Sequence, residues 1–184
     1  MTALLGACAS GFEGGTFVRQ PFFSSYDNSM LRYTAGRGGM LVQTIGNPFE
    51  APPREVSRIV AGHMEGAQFG PRMPFFSTPP EGFGSIYRMR VSLNTTMTAQ
   101  AICRRESTAQ KTAPSRQRGA QRVDVVMAFC SGEKRISSVR GYATGVNGPR
   151  DPKFRSLLRI MTKVILPQRD PHRIGNGHGE DFDR

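Results

Sequence analysis

Thiols and guanidiniums are the side chains of this sequence best suited to chemistry. The cysteines are Cys8, Cys103 and Cys130. A thiolate attacks carbon and sulfur centres, so each can accept a modification or join a disulfide. Three is an odd number, so at least one cannot be paired within the chain. Cys8 follows Leu4, Leu5, Gly6 and Ala7, an apolar end and then two small residues that leave the backbone open to a cut. The second chemistry is charge. The net charge is +11, and almost all of the positive charge is Arg rather than Lys. Guanidinium forks bind phosphate and carboxylate through paired hydrogen bonds. The partner classes that follow are polyanions: nucleic acid, anionic lipid head groups, lipopolysaccharide or wall polymers. The alternative is an Arg-rich surface that is merely solvated.

Other motifs fail on their chemistry. Residues 35–39 read Ala-Gly-Arg-Gly-Gly, but no Gly-Lys-Ser/Thr follows, so they form no phosphate loop. Ser131 and Lys134 have Ser-x-x-Lys spacing, yet that chemistry needs the serine at a helix start, and here the tetrapeptide reads as a turn. His172, His178, Glu180, Asp181 and Asp183 lie in a tail with almost no core-forming residues, which gives a metal no fixed geometry. His63 falls on the apolar side of a predicted helix and reads as a packed histidine. No Ser/His/Asp, Cys/His or paired-carboxylate arrangement sits on an ordered element. The sequence therefore predicts a non-enzymatic protein without cofactor or metal.

Leu5-Gly6-Ala7-Cys8 resembles the lipobox of bacterial lipoproteins, and Ala9-Ser10-Gly11 resembles the small tether that follows it. The resemblance implies that Cys8 carries a lipid anchor. A signal peptide has a basic n-region and an apolar stretch of roughly 7–15 residues. Residues 1–7 hold no Lys or Arg, so they are expected to be the end of a longer signal whose true start lies upstream. The residue after Cys8 is Ala9 rather than Asp, which resembles an outer-membrane address. If Cys8 carries lipid, Cys103 and Cys130 remain to pair, and an envelope compartment permits the disulfide. Such a bond is worth ~3–4 kcal/mol on the chain-entropy estimate. The alternative is two small buried thiols in a cytosolic protein.

The elements follow from residue type and period. A short strand is predicted near residues 16–19, with Phe12, Phe17, Phe22 and Phe23 available to a sheet edge. Residues 29–34 and 40–45 have strand-forming types and are expected to form a hairpin through the glycines at 36, 38 and 39. Pro52-Pro53 marks a helix start, with Val56, Ile59, Val60, His63 and Ala67 on one face. Residues 68–84 read as a Phe- and Pro-rich loop over the sheet. In 85–94, Tyr87, Met89, Val91 and Leu93 alternate with Arg88, Arg90, Ser92 and Asn94, which predicts one buried face and one wet face carrying both arginines. Residues 97–103 fit a helical turn or a strand. Residues 104–122 read as a mobile basic loop. Residues 123–130 form a central strand, 135–146 return antiparallel with a bulge at Gly141, and Asp151-Pro152 opens a final helix closed by Pro167.

The fold class is α+β, a mostly antiparallel sheet with two helices packed on one face. The expected organisation is a signal end at 1–7, lipidated Cys8 and tether at 8–27, a domain at 28–167 and a disordered tail at 168–184. The last third is also similar to small envelope lipoproteins of proteobacteria, with a cysteine-ending strand, a returning strand and an Asp-Pro-x-Phe helix closing in Pro. The functional expectation is an anchored envelope protein on the periplasmic face of the outer membrane. It would meet lipopolysaccharide, peptidoglycan or an acidic envelope protein through Arg88, Arg90, Arg104, Arg105, Lys111, Arg116, Arg118 and Arg122. The alternative is a cytosolic nucleic-acid-binding protein using Arg37, Arg88, Arg90 and the same loop. No run of about 18 apolar residues is present.

Overall fold

A computed structural model describes residues 15–104, 121–169 and 171. The expected signal end, Cys8, most of the basic loop and nearly all of the tail with its histidines and acids lie outside the described residues.

The centre of the sheet is a hairpin. Strand β6 (Gln121–Ser131) turns through Gly132-Glu133 into β7 (Lys134–Val146), with Ser131 opposite Lys134. Gly132 has φ +55°, which suits glycine at the first position of a tight hairpin turn. The far edge of β7 pairs antiparallel with β1 (Thr16–Val18) and β2 (Phe22–Phe23). On the other side, β6 pairs antiparallel with β5 (Tyr87–Leu93), and β5 pairs parallel with β3 (Met40–Ile45). The two-residue β4 (Phe75–Phe76) closes that edge, parallel to β3. The result is a mixed, mostly antiparallel seven-stranded sheet, so the chain is α+β. Because β1 and β2 belong to the sheet, the folded unit begins upstream of residue 28.

Four helices accompany the sheet: α1 (Ser29–Gly36), α2 (Pro53–Met64), α3 (Ala99–Arg104) and α4 (Pro152–Ile165). Asp151 caps α4 by accepting from the Lys153 N–H at 2.8 Å, with Pro152 in the first turn. Phe154, Leu157, Leu158, Met161 and Ile165 of α4 are all fully buried. Burial of each such side chain contributes roughly 1.5–3 kcal/mol. They share one core with Val56 and Val60 of α2 and the inward residues Met89, Val91, Val125 and Met127 of the central strands. Ser137 of β7 donates to the Ile165 carbonyl at 2.9 Å and satisfies the last turn of α4.

The structure corrects three expectations. Residues 29–34 are helical, not a strand. Asp27 accepts from the Ser29 N–H at 2.7 Å and starts the turn, and Leu31 and Thr34, three apart, are buried on the same side. The glycines after them therefore end a helix rather than turn a hairpin. Gly39 has φ +127°, and a Cβ there would lie 2.5 Å from the Pro74 carbonyl, so only glycine lets the chain pass into β3. The two expected helices, α2 and α4, do share one face, but two further helices join them, and α3 packs on the opposite side of the sheet. Gly141 is not at a bulge. The register shifts fall between Gln121 and Val123 and between Phe129 and Cys130.

Gly141 serves close packing. A Cβ there would meet the Phe17 carbonyl at 2.7 Å and Leu157 Cδ1 at 2.9 Å. Gly141→Ala should overpack the junction of β1, β7 and α4 and cost about 1–3 kcal/mol, read as a lower urea midpoint with unchanged slope. His63 is buried against Phe154, and its Nε2–H donates to the Pro149 carbonyl at 2.9 Å. Burial pulls its pKa below the ordinary 6.5, the hydrogen bond opposes this, and Arg155, Arg150 and Arg159 add to the lowering. The unfolded chain therefore takes up this proton first, and stability present above about pH 6.5 is lost as pH falls through the folded value. His63→Gln should flatten that part of a stability profile measured between about pH 7.5 and 5.

Candidate polyanion-binding face

The face of the sheet opposite α2 and α4 carries Arg88 and Arg90, two of the residues expected to meet anions. Its rows follow from the strand register: Arg88 of β5 lies beside Cys130 of β6, Arg90 beside Ala128, and Ser92 beside Val126. The period-two pattern of 85–94 thus does place Arg88 and Arg90 on one face. The wetness of that face is the part that fails.

The short helix α3 covers it. Ala99, Ile102 and Cys103 pack on Val126, Ala128 and Cys130 and form a second, smaller core. Thr98 Oγ1 accepts from the Ala101 N–H at 3.2 Å and starts the helix. Arg90 lies underneath, 4% exposed, and its Nη1 donates to the Ile102 carbonyl at 2.6 Å. A guanidinium against a helix-end carbonyl satisfies an acceptor that has no partner within the helix. Arg90 is therefore a positioning group for α3 and not part of a solvent-facing anion site. Its neighbour Arg88 is half-buried.

Cys103 and Cys130 are bonded, with Cα atoms 5.7 Å apart and 27 residues between them in sequence. The bond ties the end of α3 to the end of β6. For a loop of this length the chain-entropy estimate is about 3.5 kcal/mol. Both cysteines are buried, so the bond lies within the small core rather than on the surface.

The remaining predicted residues do not gather. Arg104 is exposed at the end of α3. Arg122 is exposed at the far end of β6, eight residues from Cys130 in sequence, or about 25 Å along a strand from the Arg88 position. It lies over the Tyr142 ring at 3.7 Å and pairs with Asp124 at 2.7 Å, and those hydrogen bonds raise its pKa. Its charge is thus already balanced by a neighbour. Arg105, Lys111, Arg116 and Arg118 lie outside the described residues. The alternative's Arg37 stacks on Tyr33 at 5.3 Å, beyond the end of α1 and away from this face.

Sequence reasoning missed Arg135 and Arg140 of β7, which stand opposite Cys130 and Val126. Strict alternation would place positions 135 and 140 on opposite faces. The register irregularity between Phe129 and Cys130 takes up a residue of β7 and restores them to one side. Sequence carries no clear signal for that shift.

Arg90→Ala removes a buried charge-assisted hydrogen bond and should cost roughly 1.5–3 kcal/mol. Arg104→Ala, on an exposed side chain, should stay within about 0.5 kcal/mol of the parent. Chemical denaturation of the two variants side by side checks this.

No protein-family model matches the chain, and no curated protein matches it. Among solved structures it is similar to a PelC variant dodecamer from Paraburkholderia phytofirmans, at 12% identity and a TM-score of 0.41, over 85% of this chain and 99% of that one. It is also similar to a PelC dodecamer from the same organism in another crystal form, at 13% identity and a TM-score of 0.36, over 83% of this chain and 95% of that one. At these scores neither likeness bears on what this chain does.

Proposed function

We propose that this chain is a lipid-anchored bacterial envelope protein of binding or structural type, attached through Cys8 and facing the periplasm from the outer membrane. The observation that carries the reading is the bonded Cys103–Cys130 pair. Disulfides persist in oxidising compartments and are rare in the cytosol. The pairing leaves one thiol over, and that thiol is the one that follows Leu5-Gly6-Ala7. Among the described residues no helix is long and apolar enough to cross a membrane. Attachment in this reading therefore rests on acyl chains, each buried CH₂ contributing about 0.8 kcal/mol.

The partner in this reading is an anionic envelope component, lipopolysaccharide or peptidoglycan, or an acidic envelope protein. The net charge of +11 supports it, because a strongly basic surface raises the local concentration of such partners. The nucleic-acid alternative draws on Arg90, whose guanidinium is engaged by the Ile102 carbonyl, and on a cytosolic compartment that disfavours the disulfide.

The test is the intact mass of the chain expressed from its own locus, with and without Cys8→Ala. The expected result is loss of residues 1–7 and added acyl mass in the membrane fraction, both abolished by Cys8→Ala. An unmodified chain in the soluble fraction would overturn the proposal.

A further inference from the structure

We propose that a cleft on the outer side of β7, between the β1–β2 segment and the start of α3, binds a phosphoryl group. Its walls are Arg19, Phe22, Thr98, Arg135, Ser138 and Arg140, and its volume is about 240 Å³. That is smaller than the 300–1,000 Å³ typical of drug-sized ligand sites. It suits a phosphoryl group with a small appendage and is too small for an extended polymer.

Three guanidiniums line one small cleft, and no carboxylate of the described residues forms an ion pair with any of them. Among the described residues, Asp124 pairs with Arg122 and Glu55 with Arg150. Arg135 is half-buried, lies over the Phe22 ring at 3.9 Å, and keeps its Nε out of water with no hydrogen-bond partner. A partly desolvated cation held on an aromatic ring, with no counter-charge among the described residues, is costly unless an anion completes it. Arg19, just after β1, and Arg140 of β7 are exposed and line the same cleft.

The backbone around the cleft is fixed. The Arg19 N–H donates to the Arg140 carbonyl at 2.8 Å, and the Ser24 N–H to the Ile136 carbonyl at 2.9 Å. Ser24 Oγ donates to the Arg135 carbonyl at 2.9 Å. Phe22 pairs with Ser138 in the sheet. The arginines therefore project from a bonded frame rather than from loose loops.

The choice of phosphoryl over carboxylate rests on charge and donor count. A phosphoryl group carries about −1.5 to −2 and offers three acceptor oxygens. Three guanidinium forks and the hydroxyls of Thr98 and Ser138 match that demand better than a carboxylate with one charge and two oxygens. The phosphoryl group can sit on a soluble small molecule or on a lipid head group, and the experiment separates the two. The site is independent of Cys8.

The experiment titrates the 184-residue chain carrying Cys8→Ala, labelled with ¹⁵N, and follows its amide spectrum. One arm uses glucose 1-phosphate and the other phosphatidic acid vesicles, both phosphate monoesters, each matched against sodium chloride at equal ionic strength. The expected result is a saturable shift confined to Arg19, Thr98, Ser138, Arg140 and their neighbours in at least one arm. Arg140→Gln and, separately, Arg19→Gln should weaken it about tenfold, as loss of a charge-assisted contact would. Both positions are exposed, so both variants should fold. Response in the first arm assigns a soluble phosphate ester, and response in the second alone assigns a lipid head group. A shift equal to that of chloride, a shift elsewhere on the surface, or one unchanged in both variants would overturn the proposal.

Discussion

Along one edge, β7 bonds to β6, and along the other to β1 and β2; α4 lies across its inner side while the cleft opens on its outer side. The strand is 13 residues long, about twice a typical strand, so one continuous backbone serves both as ladder and as floor. A strand paired on both edges and covered on one face cannot slide without breaking many bonds together. That fixed register aligns Arg140 with Val126 and Arg135 with Cys130. The small core under α3 and the basic wall of the cleft both inherit their geometry from it.

The two faces of the sheet solve different problems. On the α2 and α4 side, a continuous layer of Val, Leu, Met and Phe excludes water, and this core supplies most of the burial. On the α3 side, a single short helix must hold down a sheet surface that includes Arg90. Apolar contact there is small, so the helix is secured by directional means: a guanidinium on the Ile102 carbonyl in its last turn and a disulfide at Cys103. A helix of this length is not stable by itself. Its place is decided by those two contacts.

Much of the framework was legible from periodicity. The strands over 40–45 and 123–130, the helix after Pro52 and the capped helix after Asp151 follow from residue types whose spacing matches one structure only. The alternation in 85–94 correctly sorted Arg88 and Arg90 from Tyr87, Met89 and Val91. It could not say that a helix formed by residues 99–104 would cover the arginine side, because that is a tertiary event. Residues 29–34 read as a strand from their types, but Met, Leu and Tyr serve both structures, and the Asp27 side chain together with burial of Leu31 and Thr34 decides for helix. Gly141 looks like a bulge in the sequence because local sequence cannot show a neighbouring helix pressing on the backbone. The basic cleft was hidden for a related reason. Its arginines come from β7 and from the segment that follows β1, and a register shift places the two of β7 on one side.

The Cys103–Cys130 bond has a consequence for covalent continuity. The two sulfurs bridge the chain on either side of residues 105–120. A single backbone cut anywhere in that stretch yields one piece that holds Cys103 and another that holds Cys130, and the two stay joined as one molecule. The connection between the first half of the sheet and its central hairpin is thus doubled. The stretch between the cysteines is relieved of its duty as a linker, and its length and sequence can vary without separating the two halves of the domain.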